Sequence, residues 1–160
     1  KTFHNQLEIK LLGIWRLDSY RTILNTVIDG VIVDSEYCSN YFGNDDNVQS
    51  SWETNQCIVD WNISYSEVYE YIFQIDNIVD KVYLNYQNIE LWRSSGSWTT
   101  LNDNLTLTFE ANKPNEPITT FKYSIIDNKL ELDWPMDEYE ELQNFYTEVS
   151  SIYTKQEIND

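Results

Sequence analysis

From residue 13 onward, apolar and polar residues alternate with a period of two, and the runs are interrupted by short Asn- and Asp-based turns. In an extended strand, residues i and i+2 point to the same side, so this pattern specifies sheet with one buried face and leaves no room for long helices. The stretch 13–24 (GIWRLDSYRTIL) reads as a long first strand with Trp15, Leu17 and Ile23 on one face. Asp29-Gly30 is a two-residue hairpin signal leading into a strand over 31–37. The polar stretch 39–55 reads as a long loop, with a short strand around 48–52. Alternation then resumes over 58–65 (Val59, Trp61, Ile63, Tyr65), 69–75 (Tyr69, Tyr71, Phe73, Ile75) and 81–86 (Val82, Leu84, Tyr86). The runs 89–93 and 97–101 flank Gly96, which reads as a bulge or kink within one longer strand. Beyond the turn Asn102-Asp103-Asn104, Leu105, Leu107 and Phe109 alternate with threonines. A Pro-containing loop over 113–117 precedes a strand over 118–126. Asp127-Asn128 then turns the chain into Leu130, Leu132 and Trp134, and 145–155 makes a closing strand.

Only four glycines serve all these turns, so Asn and Asp take the left-handed positions, which they tolerate better than other non-glycine residues. Two segments, 5–12 and 137–144, have helical composition but span about two turns each, too short to nucleate a helical layer. About eight to ten short strands with tight connections predict an all-β fold: one domain over 1–160, an antiparallel up-and-down β-barrel with a short N-terminal helix. Closure removes the exposed edges that a flat sheet rich in Thr and Tyr would present. An eight-stranded barrel has an interior just wide enough for side chains or one small ligand.

The surface is acidic: 27 Asp and Glu against 10 Lys and Arg give a net charge of −17. Such a field repels phosphate backbones and anionic headgroups, which argues against nucleic-acid partners and basic-patch membrane binding. The two cysteines, Cys38 and Cys57, read either as a disulfide formed in an oxidising compartment or as two unrelated buried thiols. The chain starts at Lys1 without an apolar leader, read as a removed signal segment or a trimmed sequence. Asn62-Ile63-Ser64 and Asn104-Leu105-Thr106 match the glycosylation pattern.

Catalysis finds little support. A lone histidine, His4, no nucleophile elbow and no Gly-rich phosphate cradle leave no nucleophilic site, and carboxylate pairs are too abundant among 27 acids to be informative. The protein is therefore read as non-enzymatic, without cofactor or metal. Asn44-Asp45-Asp46-Asn47, Asp137-Glu138 and Glu140-Glu141 read as solvated loops in preference to a calcium site. Aromatic content is the stronger signal, at 15% of residues. Trp61, Tyr71, Phe73, Leu84, Trp98, Leu107, Phe121, Tyr123 and Trp134 occupy alternating positions that can face a lumen, where they either fill the core or line a cavity for a small apolar or amphipathic molecule. Arg93 and Arg21 lie on strands, and either would pair with a ligand carboxylate if it pointed inward. The rival reading is a surface carbohydrate-binding or adhesion module using exposed aromatics: Tyr41, Phe42, Trp52, Tyr139 and Tyr146. An open interior of about 300 Å³ or more favours the small molecule, a filled one the outer surface.

Leu12-Gly13-Ile14-Trp15-Arg16-Leu17, after a short leading helix, resembles the Gly-x-Trp opening of lipocalins. More specifically, the chain resembles the bacterial lipocalin-like domains of secreted or lipid-anchored proteins. Cys38 and Cys57 fit the cysteine placement of that family. Gly96-Ser97-Trp98, the turn at 102–104, the strand Leu105-Thr106-Leu107-Thr108-Phe109 and the ending Ile152-Tyr153-Thr154-Lys155 follow its order. The resemblance spans about residues 11–156. It implies export, as a periplasmic, outer-membrane or cell-surface lipoprotein or a secreted protein, with a signal peptide and an optional lipid anchor upstream of residue 1. It implies also that Gly13 and Trp15 are structural, the indole closing one barrel end under a basic residue, Lys155 or Arg16. Ligand and protein partners are left unnamed by it.

Overall fold

The computed structural model describes residues 6–41, 46–63, 68–109 and 118–157. Strands form where the alternation is regular: β1 (Gly13–Leu24), the small hairpin β2 (Val27–Ile28) and β3 (Val31–Ile32), β4 (Val48–Glu53), β5 (Gln56–Asn62), β6 (Val68–Phe73), β7 (Ile78–Leu84) and β8 (Glu90–Leu101). β9 (Asn104–Phe109), β10 (Thr119–Ile126), β11 (Lys129–Asp133) and β12 (Tyr146–Gln156) complete the set. From β6 to β12 each strand lies antiparallel to its predecessor; β12 then pairs with β1, and β1 with β6. These eight strands close an antiparallel barrel, to which the β4–β5 hairpin is added beside the far half of β1. Three short helices accompany it, α1 (Gln6–Leu11), α2 (Ser35–Asn40) and α3 (Glu140–Gln143), with one 3₁₀ turn at Met136–Glu138.

Asn and Asp do replace glycine in the turns: Asp29, Asn77, Asn88, Asn102 and Asp127 all have φ between 50° and 62°. Thr54 (φ 51°) and Asn55 (φ 59°) form the two-residue connection of β4 and β5, whose double positive φ matches the right-handed twist of the strands. Gly96 marks no bulge, its register with β7 and β9 being unbroken. It lies within a continuous β8, where the β9 backbone passes so close that a Cβ would sit 2.3 Å from the Thr108 carbonyl oxygen.

Three sequence expectations are corrected. The strand expected over 31–37 stops at Ile32, because Asp34 accepts a hydrogen bond from the Tyr37 amide (2.9 Å) and starts α2; a local cap outcompetes alternation there. The face of β1 changes midway. Asp18 is an extra residue between the pairs Leu17–Tyr153 and Ser19–Ile152, and this bulge turns Tyr20, Thr22 and Leu24 inward in place of Ile23. On β7, Lys81 and Tyr83 face the interior, which places Val82 and Leu84 on the opposite face.

The interior is filled at one end. Leu11 of α1, Trp15, Trp98, Leu105, Leu130 and Leu132 are fully buried there. The Trp15 indole N–H donates to the Leu11 carbonyl (2.7 Å), and the Glu8 carboxylate accepts from the Thr100 hydroxyl, so α1 is held across that end. The Lys155 ammonium lies 5.4 Å from the Trp15 ring centroid. Its stem passes Gly13, which has a φ of 125° and where a Cβ would sit 3.1 Å from Lys155 Cε. A second, smaller core gathers Leu24, Ile28, Val33 and Val59 around a disulfide between Cys38 and Cys57, which fastens α2 to β5.

Candidate functional site

The other end of the barrel is open. The Asp18 bulge lies where β1 exchanges partners, pairing with β6 over residues 13–16 and with β5 over 19–23. A bulge bends its strand, and beyond this one β1 keeps β12 on one side while β5 replaces β6 on the other. Outside, the Asp18 carboxylate accepts from the Lys129 ammonium (2.8 Å) and so ties the bulge to β11. Inside is a cavity of about 680 Å³ with an open mouth, within the range of roughly 300–1,000 Å³ that accommodates small molecules.

Its walls are mostly aromatic. Tyr69 and Tyr71 of β6, Tyr83 of β7, Tyr153 of β12 and Tyr20 of β1 all line it, with Leu107 and Phe109 of β9 and Phe121 of β10; the Phe109 ring stacks on Tyr71 at 6.4 Å. The Tyr69 and Tyr153 hydroxyls share a hydrogen bond of 2.9 Å, and the Tyr71 ring lies 5.6 Å from Tyr69 and 5.5 Å from Tyr153. Burial pushes the phenols of Tyr69, Tyr71 and Tyr153 well above the ordinary tyrosine value. They stay neutral, and so keep an O–H able to donate, throughout the physiological range. At the mouth, burial and the neighbouring Tyr41 push Tyr146 up to about 12. Trp134, whose indole N–H donates to Ser151 Oγ (3.2 Å), packs edge-on against Tyr20 and at a tilt of 41° against Tyr139. The Trp61 indole N–H donates to Thr22 Oγ1 (3.1 Å), and that hydroxyl donates to the Val59 carbonyl (3.2 Å).

The structure therefore divides the residues singled out from sequence. Trp61, Tyr71 and Phe121 meet at the cavity, joined by Leu107 and Trp134. Phe73, Trp98 and Tyr123 are buried in the filled core instead. Leu84 lies on the outer face opposite Val68, buried but in neither core cluster. Arg93 also points outward, its guanidinium 2.7 Å from both Asp80 and Glu90, and Arg21 pairs with Asp60 at 2.9 Å. Neither arginine is placed to meet a ligand inside the barrel, because each alternates with an inward neighbour on its strand.

The aromatics expected on the surface turn inward as well. Tyr139 and Tyr146 line the cavity, while Tyr41 and Trp52 pack against the disulfide core. Phe42, Asn44, Asp45 and the loop 113–117 lie outside the described residues. Asp137, Glu138, Glu140 and Glu141 are exposed, and no group of three metal-ligating side chains gathers among the described residues.

Sequence reasoning missed Lys81, Tyr20, Tyr69, Tyr83 and Tyr153 as a set. Lys81 extends from β7 directly opposite Tyr71. Its ammonium stands 4.7 Å from the Tyr69 ring centroid, 5.4 Å from Tyr83 and 5.7 Å from Tyr71.

Among solved structures, the chain is similar to the crystal structure of an uncharacterized protein from Bacteroides eggerthii. The TM-score is 0.47, with 13% identity over 91% of this chain and 98% of that one. No protein-family model and no curated protein matches it.

Proposed function

We propose that this chain is an exported, non-enzymatic binding protein that holds a small amphipathic molecule in the open end of its barrel. The observation that carries the reading is the cavity itself: about 680 Å³, walled by aromatic rings, with hydroxyls placed at a few points. Ring faces supply apolar contact area and the neutral phenols orient a polar group, the usual division of labour in small-molecule sites. The Cys38–Cys57 bond supports an oxidising compartment and hence export. Placement in the bacterial lipocalin-like family is supported by the same architecture: a short leading helix, a first strand opening with Gly13 and Trp15, and Lys155 over that indole.

A polarity-sensitive fluorophore such as anilinonaphthalene sulfonate tests the reading by titration against the native protein. Saturable, one-to-one binding is expected, with quenching of Trp61 and Trp134 emission. Thr119→Trp places an indole at the mouth, where Thr119 lines the cavity opposite Leu107. It should weaken binding by about tenfold or more, the loss of at least 1.4 kcal/mol. Absence of saturable binding, or binding indifferent to Thr119→Trp, would refute it.

A further inference from the structure

The chain is acidic at about one residue in six, yet no carboxylate is among the described residues that line the cavity, and one cation is, Lys81. On the outside, Arg16, Arg21, Arg93 and Lys129 each lie within 3.0 Å of an Asp or Glu oxygen. Lys81 makes no ion pair or hydrogen bond to any described residue; its contacts are the faces of Tyr69, Tyr71 and Tyr83. Ring quadrupoles hold an ammonium in place but do not neutralise it. A half-buried cation with its donors unspent, in a cavity whose other described lining residues are neutral, is the complement of an anion.

We infer that the cavity selects an amphiphile with a singly charged anionic head, a monocarboxylate, which sits on Lys81 with its apolar body against Leu107, Phe109 and Phe121. This rests on the reading of the cavity as the binding site and adds the chemical class of the ligand. Charge number follows from the same count. One ammonium compensates one negative charge, whereas a dianionic phosphate would bring a second, unpaired charge into an apolar site of a protein that is itself at −17. Tyrosine hydroxyls in the same wall supply the remaining hydrogen bonds to a carboxylate.

Calorimetric titration with dodecanoate, dodecanol and dodecyltrimethylammonium separates head group from chain. The native protein should bind dodecanoate about tenfold or more tighter than dodecanol, as one charge-assisted pair provides. Lys81→Met should abolish that margin while dodecanol affinity stays within about twofold. It also uncovers three ring faces, so the quaternary ammonium should gain affinity in the variant. Equal binding of dodecanoate and dodecanol by the native protein overturns the inference, and that comparison needs no variant to fold. A margin that survives Lys81→Met overturns it too. If none of the three probes binds, the cavity is not a binding site and both readings fall together, an outcome told apart by the loss of dodecanol binding.

Discussion

Breaking the Cys38–Cys57 bond should loosen the mouth of the barrel while leaving the barrel closed. The bond spans a sequence separation of 19, and releasing a loop of that length restores about 3 kcal/mol of conformational freedom to the unfolded chain. Both cysteines are 1% exposed inside the cluster of Leu24, Ile28, Val33 and Val59. The double variant Cys38→Ala/Cys57→Ala therefore also leaves small voids, adding about 1 kcal/mol. For a chain of this size each kcal/mol lowers the midpoint by about 2–4 °C, so a fall of roughly 10 °C is expected. Urea and thermal denaturation of the oxidised native protein and the variant measure this directly. Hydrogen exchange then shows where the loss falls. Six residues do not sustain an isolated helix, so α2 amides should exchange far faster in the variant, whereas those of β8 and β9, remote from the bond, keep their protection relative to global unfolding. Trp61 and Tyr146 pack on the disulfide core and also line the cavity, so ligand affinity should fall with α2 order. A midpoint within about 2 °C of the native one would refute the reasoning, because it would mean that the hairpin holds α2 without the bond.

Gly96→Ala should cost about 1–3 kcal/mol in urea denaturation, since the new methyl would lie 2.3 Å from a backbone oxygen that cannot swing away; an unchanged midpoint would show that β8 and β9 do not approach so closely. Thr54→Asn should stabilise by about 1 kcal/mol, because a β-branched residue at φ 51° is replaced by one that tolerates the left-handed region. Raised pKa values of Tyr69, Tyr71 and Tyr153 make stability sensitive to alkali. The unfolded chain ionises these phenols at its ordinary value of 10.0 while the fold keeps them neutral, so their contribution is complete below that pH and is lost as pH rises above it. Denaturation midpoints followed against pH, together with tyrosinate absorbance, check the sign; ionisation of every tyrosine near 10 in the folded protein would refute it.

β1 was legible in its extent, Gly13 to Leu24, because β-forming residues run through it without a turn signal. Its inward face reads in one phase throughout, whereas one extra residue at Asp18 reverses which side chains meet the core; the polar Ser19 and Arg21 on the Trp15 phase are the trace it leaves in the sequence. β7 shows a different loss. Apolarity favoured Val82 and Leu84 as inward residues, yet the turn at 75–77 sets the register Phe73–Val79, Tyr71–Lys81 and Tyr69–Tyr83. Residues directly opposite share a face, so an inward Tyr71 obliges an inward Lys81. Pairing across the hairpin carries that inference, whereas apolar alternation along β7 alone points to the opposite face. Whether aromatic side chains fill the lumen or leave a cavity depends on strand tilt and on the parting of β5 from β6, neither of which has a period in the sequence.

The contrast between an acidic chain and a cavity whose described lining holds Lys81 and no carboxylate has a kinetic consequence. A protein of net charge −17 repels an anion as it approaches, and this repulsion acts over distances that salt shortens, the screening length being about 10 Å at 0.1 M. The pair proposed with Lys81 would form inside the cavity, beside the Tyr69 ring, and a partly buried pair is screened less than charges held apart in solvent. Rising ionic strength should therefore accelerate dodecanoate association, the reverse of what a basic binding surface shows. Dodecanol, with no charge to steer, should associate at a rate indifferent to salt. Stopped-flow measurements of both probes between low and moderate salt make the comparison. An association rate for dodecanoate that falls as salt is added would mean that attraction is felt at long range, which the one lysine among the described lining residues of a protein at −17 does not supply.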